Sequence, residues 1–244
     1  PGVQDILLRW QSRYNPFQRG IESDILYELA TEQSAKLERV YQQVQKGAGS
    51  FVYLGDVNGN HLVDDQDFRP ARFDGDYTTV ILPSDNLTPV LDVKAATRLR
   101  FNGGKLFAGD DWFDKVLSAL SSETYARVDE KSGDSDKKQI YLLQFSHFLD
   151  ERTTIAGSNL FSEDFYIMEN RPEFSLRLRY SQRKGLTQYA LTDETTFSDE
   201  RSIRVRWQLV RAFSNQTELI QRKDALSAPQ SDYRVRSILS RSLE

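Results

Sequence analysis

From Phe174 onward the chain alternates with a period of two. In Phe174-Ser-Leu-Arg-Leu-Arg-Tyr180 one face carries Phe, Leu, Leu and Tyr, and the other carries Ser, Arg and Arg. Ser202-Ile-Arg-Val-Arg-Trp-Gln-Leu209 repeats the pattern, and Tyr233-Arg-Val-Arg-Ser237 takes it up again. Successive side chains of a strand point to opposite sides, so extended chain turns this spacing into two chemically distinct faces. Phe174, Leu176, Leu178, Ile203, Val205, Trp207 and Leu209 are therefore expected on one apolar face. Arg177, Arg179, Arg204 and Arg206 are expected on the other. Hairpin turns are expected near 192–200, 214–216 and 225–232, which makes the region an antiparallel meander.

Two settings suit such strands. In a soluble sheet the apolar face packs a core and the Arg face meets water. In an outer-membrane barrel the apolar face meets lipid and the polar face lines the lumen. Periodicity alone does not separate them. The 28 aromatic residues (14 Phe, 11 Tyr and 3 Trp) speak for an ordered fold despite a charged content of 28%.

A second feature constrains function. Asp56-Val-Asn-Gly-Asn-His-Leu-Val-Asp-Asp-Gln-Asp67 places oxygen-bearing side chains at positions 1, 3, 5, 9 and 12, followed at once by Phe68. A hard cation takes six to eight oxygens, and this spacing is that of a twelve-residue calcium loop. Asp56, Asn58, Asn60, Asp64 and Asp67 are the candidate side-chain ligands, and Leu62 offers its carbonyl at position 7. Position 6 is His61, where the turn calls for positive φ and Gly is usual. Calcium is thus the expected cofactor. Weak sites of this type fill where the ion is millimolar, which points outside the cytoplasm.

Gly55-Asp56-Val57-Asn58-Gly59-Asn60, with Asp67 at position 12, resembles the calcium loop of dockerin modules. No second copy of the loop occurs, so the resemblance implies calcium and not the dockerin's protein partner. A wider resemblance lies in Ser122-Glu-Thr-Tyr-Ala-Arg-Val-Asp-Glu-Lys-Ser132, Thr154-Ile-Ala-Gly-Ser-Asn-Leu-Phe161, Pro172-Glu-Phe-Ser-Leu-Arg-Leu-Arg-Tyr180 and Arg201-Ser-Ile-Arg-Val-Arg-Trp-Gln-Leu-Val210. These look like segments of very large surface proteins of Gram-negative, Bacteroidetes-like bacteria. That resemblance implies a β-rich architecture at the outer membrane or cell surface, with no reaction attached. Outer-membrane lipid or other surface proteins are the partners it suggests. Pro1 in place of Met fits a piece of a larger protein.

The rest of the chain reads less sharply. Residues 1–50 satisfy both helical spacing (Ile21, Ile25, Leu29) and alternation (Ile25, Tyr27, Leu29). Strands are expected at 77–82, 90–101 and 140–148, with a loop at 83–89, a turn at 102–104 and a loop tip at 129–138. Residues 111–121 form the best helix candidate, with Trp112, Phe113, Val116, Leu117 and Leu120 on one face. The expected fold is mainly β: an antiparallel meander, either a partial barrel or a large open sheet, with a calcium loop and one or two short helices. An N-terminal region, 1–104, would carry the loop at 56–67 and run on into a meander region, 105–244.

No enzyme signature emerges. Only His61 and His147 are present, there is no Cys, and no Gly-x-Ser-x-Gly elbow occurs. The neighbouring acids Glu163-Asp164, Asp193-Glu194 and Asp199-Glu200 are expected in solvated loops rather than as a glycosidase pair. The Arg rows alternate within strands of an acidic chain of net charge −4, which disfavours nucleic acid. The expectation is a non-enzymatic, calcium-stabilised segment of a large cell-surface or outer-membrane protein, with a structural, anchoring or export role. The alternative is a soluble secreted module that binds carbohydrate or a protein partner.

Overall fold

A computed structural model describes residues 6–133, 149–150, 152–189, 193–210, 213–227 and 236–243. The expected strand at 140–148, with His147, lies outside them. The chain forms one large antiparallel sheet of eleven strands that does not close on itself. They are β1 (Leu7–Tyr14), β2 (Ile21–Gln43), β3 (Gly49–Tyr53), β4 (Phe68–Gly75), β5 (Tyr77–Asn102), β6 (Leu120–Ser132), β7 (Thr154–Ile167), β8 (Phe174–Gln188), β9 (Asp193–Val210), β10 (Phe213–Ser227) and β11 (Arg236–Leu243). The spatial order is β1-β2-β5-β6-β7-β8-β9-β10-β11, with β3 and β4 attached beside β5.

Several sequence expectations change. The ambiguous stretch is mostly strand within residues 6–50: Leu7–Tyr14 pairs with Ile21–Gln43, and β2 pairs along β5. The loop expected at 83–89 is strand: β5 runs unbroken through Pro83 and Pro89. Proline survives there because β6 pairs only from Leu91 onward, so no ladder partner on that side needs its missing N–H. A bulge, with Ala35 facing Leu87 but Leu37 facing Pro83, absorbs the extra residues.

The turns also move. Residues 193–200 belong to β9 and residues 214–216 to β10, where they pair with 206–208, so neither is a loop. Residues 129–132 of the expected loop tip end β6, and β10 reaches Ser227. The turn at 102–104 opens a short helix, α1 (Gly103–Leu106). The helix expected at 111–121 is α2 (Trp112–Ser118). Its apolar face does not pack inward: Trp112, Phe113 and Val116 are all exposed.

Length mismatch shapes the molecule. At about 3.3 Å per residue, the 23 residues of β2 and 26 of β5 span roughly 75 to 85 Å, while the 13 of β6 span roughly 45 Å. The far halves of β2 and β5 therefore project as a ribbon, with β3 and β4 at its tip. The ribbon bends over: Leu37 bridges Tyr189, just beyond β8. A small core of Leu29, Leu91 and Val93 lies where the ribbon leaves the sheet.

Candidate functional site

The loop at 56–67 hangs between Tyr53 and Phe68, which pair with each other and close its base. Phe68 anchors the loop to the ribbon tip. Its ring stacks on Tyr41 at 3.6 Å and meets Tyr77 edge-on at 5.2 Å. Asp67, immediately before it, is fully buried. Its carboxylate accepts from the Val57 N–H at 2.9 Å and the Asp64 N–H at 3.2 Å.

The other candidate ligands fold inward. The Asp56 carboxylate accepts from the N–H groups of Asn60 and His61 at 3.1 and 3.0 Å. Asn58 Oδ1 accepts from the Asn60 N–H, and Asn60 Oδ1 from the Leu62 N–H. The amide groups of Asn58 and Asn60 both donate to Asp64 Oδ2, at 2.9 and 2.8 Å. Two side chains, from positions 3 and 5, thus converge on one carboxylate oxygen of position 9. His61 sits at φ 59, the positive value its position demands, and Gly55 and Gly59 are also left-handed.

This donor set suits a hard cation: it is all oxygen, and the two amides supply Asp64 with the partial positive charge that an ion would bring. The carboxylates are nonetheless spent on backbone amides. Among the described residues no three His, Asp or Glu side chains are grouped to hold a metal. Asp67 braces the base of the loop, and Asp56, Asn58, Asn60, Asp64 and Asp67, with the Leu62 carbonyl, are the groups that would hold an ion. Partial burial pushes the Asp64 carboxyl up, but hydrogen bonds from the Gln66 N–H and the Asn58 and Asn60 amides outweigh it. The net direction is below its ordinary value.

Asp65, which the loop spacing does not single out, ties the loop to the ribbon. Arg39 donates to it at 2.8 Å and Tyr41 at 2.7 Å. Arg39 also lies over the Tyr189 ring at 5.1 Å and 3.9 Å from Glu194. Once β2 is known to be a strand, the spacing of Arg39 and Tyr41 places them on one face. Their partner is 24 or more residues away and leaves no local trace.

The second feature is the charged face. Phe174 pairs with Trp207, Leu176 with Val205 and Leu178 with Ile203, as the alternation requires. Arg177 faces Arg204 across the same strands. Both donate to Glu218 of β10, at 3.0 Å from Arg177 and 2.8 Å from Arg204 Nε. Arg179 binds Asp164 of β7 through two hydrogen bonds of 2.8 Å. Further along the sheet Arg100 meets Glu169 and Arg98 meets Glu123. The acids expected in loops are therefore in strands: Asp164 faces this network, and Glu163 lies on the opposite face with Thr124.

Near the turn end of β8–β10 several apolar side chains are barer than the central ion pair, although farther along the same face Leu91, Val93 and Leu186 are buried. Ile203 is 47% exposed, Trp207 41% and Leu178 38%, whereas the side chains of Arg177 and Glu218 are only 15% and 8% exposed. A shallow apolar groove of about 300 Å³ on the apolar side is walled by Trp10, Ile25, Tyr27 and Val128 and floored by Ala95 and Ala126.

No protein-family model matches the chain, and no curated protein or solved structure matches it either.

Proposed function

We propose that this chain is a non-enzymatic wall segment of a large bacterial cell-surface or outer-membrane protein, with calcium bracing the loop at 56–67. The observation that carries the reading lies at the turn end of β8–β10. There the pairs Arg177–Glu218, Arg204–Glu218 and Arg179–Asp164 satisfy one another on one face, while Leu178, Ile203, Trp207 and Leu219 stand largely bare on the other. In water, such a face costs about 25 cal/mol per Å² of apolar surface left uncovered. In lipid that cost vanishes, and the paired charges remain away from hydrocarbon.

On β8 and β9 the apolar face is uncharged from Phe174 and Trp207 up to Leu178 and Ile203; charge begins with Arg201, opposite Tyr180. The uncharged stretch from Phe174 to Leu178 covers about 13 Å along the strand, about half of the roughly 25 Å apolar band of outer-membrane barrels. Among the described residues no helix is long and apolar enough to cross a membrane, so any crossing would be made by strands.

The chain has no cysteine, so single-cysteine variants can be labelled uniquely. Fluorophores at Leu178 and Val205 should be quenched by lipid-borne agents in proteoliposomes, and one at Arg183, on the charged face, by aqueous agents. Equal indifference of all three to lipid would overturn the membrane reading. Calcium should raise the melting temperature, and Asp56→Ala should abolish the rise; ligand at a hundredfold excess over Kd contributes about 2.7 kcal/mol. A secreted, soluble module is the second reading, favoured by the groove beside Trp10 and Tyr27, where a sugar ring could stack.

A further inference from the structure

At the turn end of the charged face lies a cavity of about 170 Å³ bordered by Tyr166, Ser175, Arg177, Arg204, Arg206 and Gln216. Liquid water occupies about 30 Å³ per molecule, so the space takes one compact tetrahedral anion together with water. These six of its eight lining side chains carry a hydrogen-bond donor, and three carry a permanent positive charge; Leu176 and Glu169 complete the lining. Register explains the crowding: Arg177 and Arg204 are direct cross-strand partners, and Arg206 follows Arg204 on the same face.

The local charge does not balance. Arg177 and Arg204 share a single carboxylate, Glu218. Asp164 is 3.9 Å from Arg177 and is already held by Arg179. Glu169 also borders the cavity, but its two oxygens are taken by Arg100 and Ser121. Arg206 has no carboxylate partner among the described residues; it reaches only the Glu169 carbonyl, at 3.4 Å. Arg177 Nε is buried without a hydrogen-bond partner. Like charges placed directly opposite one another repel, and a bound anion is the direct remedy.

We propose that this cavity binds a compact oxyanion of the phosphate class. Arg206 would present its guanidinium fork to its oxygens and Arg204 the N–H groups that Glu218 leaves free, with Ser175, Gln216 and the Tyr166 hydroxyl completing the donor set. The cavity opens on the charged face, so the source is a soluble phosphate group rather than a headgroup of lipid lying against the apolar face.

The test is titration of the full chain in detergent micelles with inorganic phosphate, in calcium-free buffer at constant ionic strength, followed by calorimetry. Saturable binding is expected, weakened at least tenfold in Arg206→Gln and several-fold in Gln216→Leu, and unchanged in Asp56→Ala. Arg206→Lys should keep part of the affinity, which separates loss of charge from loss of fold. Dihexanoyl phosphatidic acid serves as the lipid arm and should bind no better than inorganic phosphate. Equal competition by chloride, affinity unchanged in Arg206→Gln, or a strong preference for the lipid would each overturn the proposal. None of these results bears on quenching at Leu178, so the membrane reading stands or falls separately.

Discussion

Arg179 grips Asp164 across β7 and β8 with two parallel hydrogen bonds of 2.8 Å. The two residues are direct cross-strand partners, so the sheet register itself sets the fork opposite the carboxylate. Asp164 is nearly buried, while the Arg179 side chain is 36% exposed. Removing one member of a buried pair leaves the other uncompensated, a cost that partial exposure reduces. Asp164→Ala should therefore destabilise the fold by about 1–3 kcal/mol. Arg179→Met combined with Asp164→Leu should recover part of that loss in a double-mutant cycle read by denaturant unfolding. Additive effects would show that the pair contributes nothing of its own.

His61 offers a gain rather than a loss. Its φ of 59 is one that glycine adopts freely and a side chain adopts at a cost. Its ring nitrogen lies 3.3 Å from Asp56, but the side chain is 94% exposed, so the contact adds little. His61→Gly should tighten calcium binding by about 1 kcal/mol. Weaker binding in the variant would mean that the contact with Asp56 matters more than the backbone.

Gly75 permits the ribbon corner. It pairs with Gly49, and a Cβ built on it would meet the Gly49 carbonyl carbon at 2.6 Å. Backbone cannot yield as a flexible side chain would. Gly75→Ala should lower stability by about 1–3 kcal/mol, the scale of overpacking, and weaken the calcium response as well. A melting curve identical to that of the parent would argue against the close approach.

Asp64 gives the loop a pH dependence of known sign. Its folded carboxyl lies below the ordinary value, so its contribution is fully present above that ordinary value, near pH 4. The contribution is lost as pH falls through the lowered folded value. The Gln66 amide, which donates to Asp64 at 2.8 Å, should report the transition by NMR. Asp64→Asn should remove it from the Gln66 signal.

The alternation from Phe174 to Tyr180 and from Ser202 to Leu209 determined strand state and face composition, because pleating is local and acts on consecutive residues; which residues pair across strands it did not. The left-handed turn at His61 was legible from its place in the loop spacing. Other features were not local. Residues 21–43 fit two periods, and only pairing along β5 made them a strand. Pro83 and Pro89 read as a break, yet they sit where β6 has not begun and no N–H is required.

The acids that satisfy the Arg rows, Asp164 and Glu218, stand 15 and 41 residues from Arg179 and Arg177. The clamp from Arg39 to Asp65 spans 26 residues. Which face is bare was likewise beyond the sequence, since a period of two is the same whether the apolar side packs a core or meets lipid. Only the cross-strand pairing with Asp164 and Glu218 decided that Arg177 is more enclosed than Leu178 or Ile203, because exposure depends on what distant strands bring alongside.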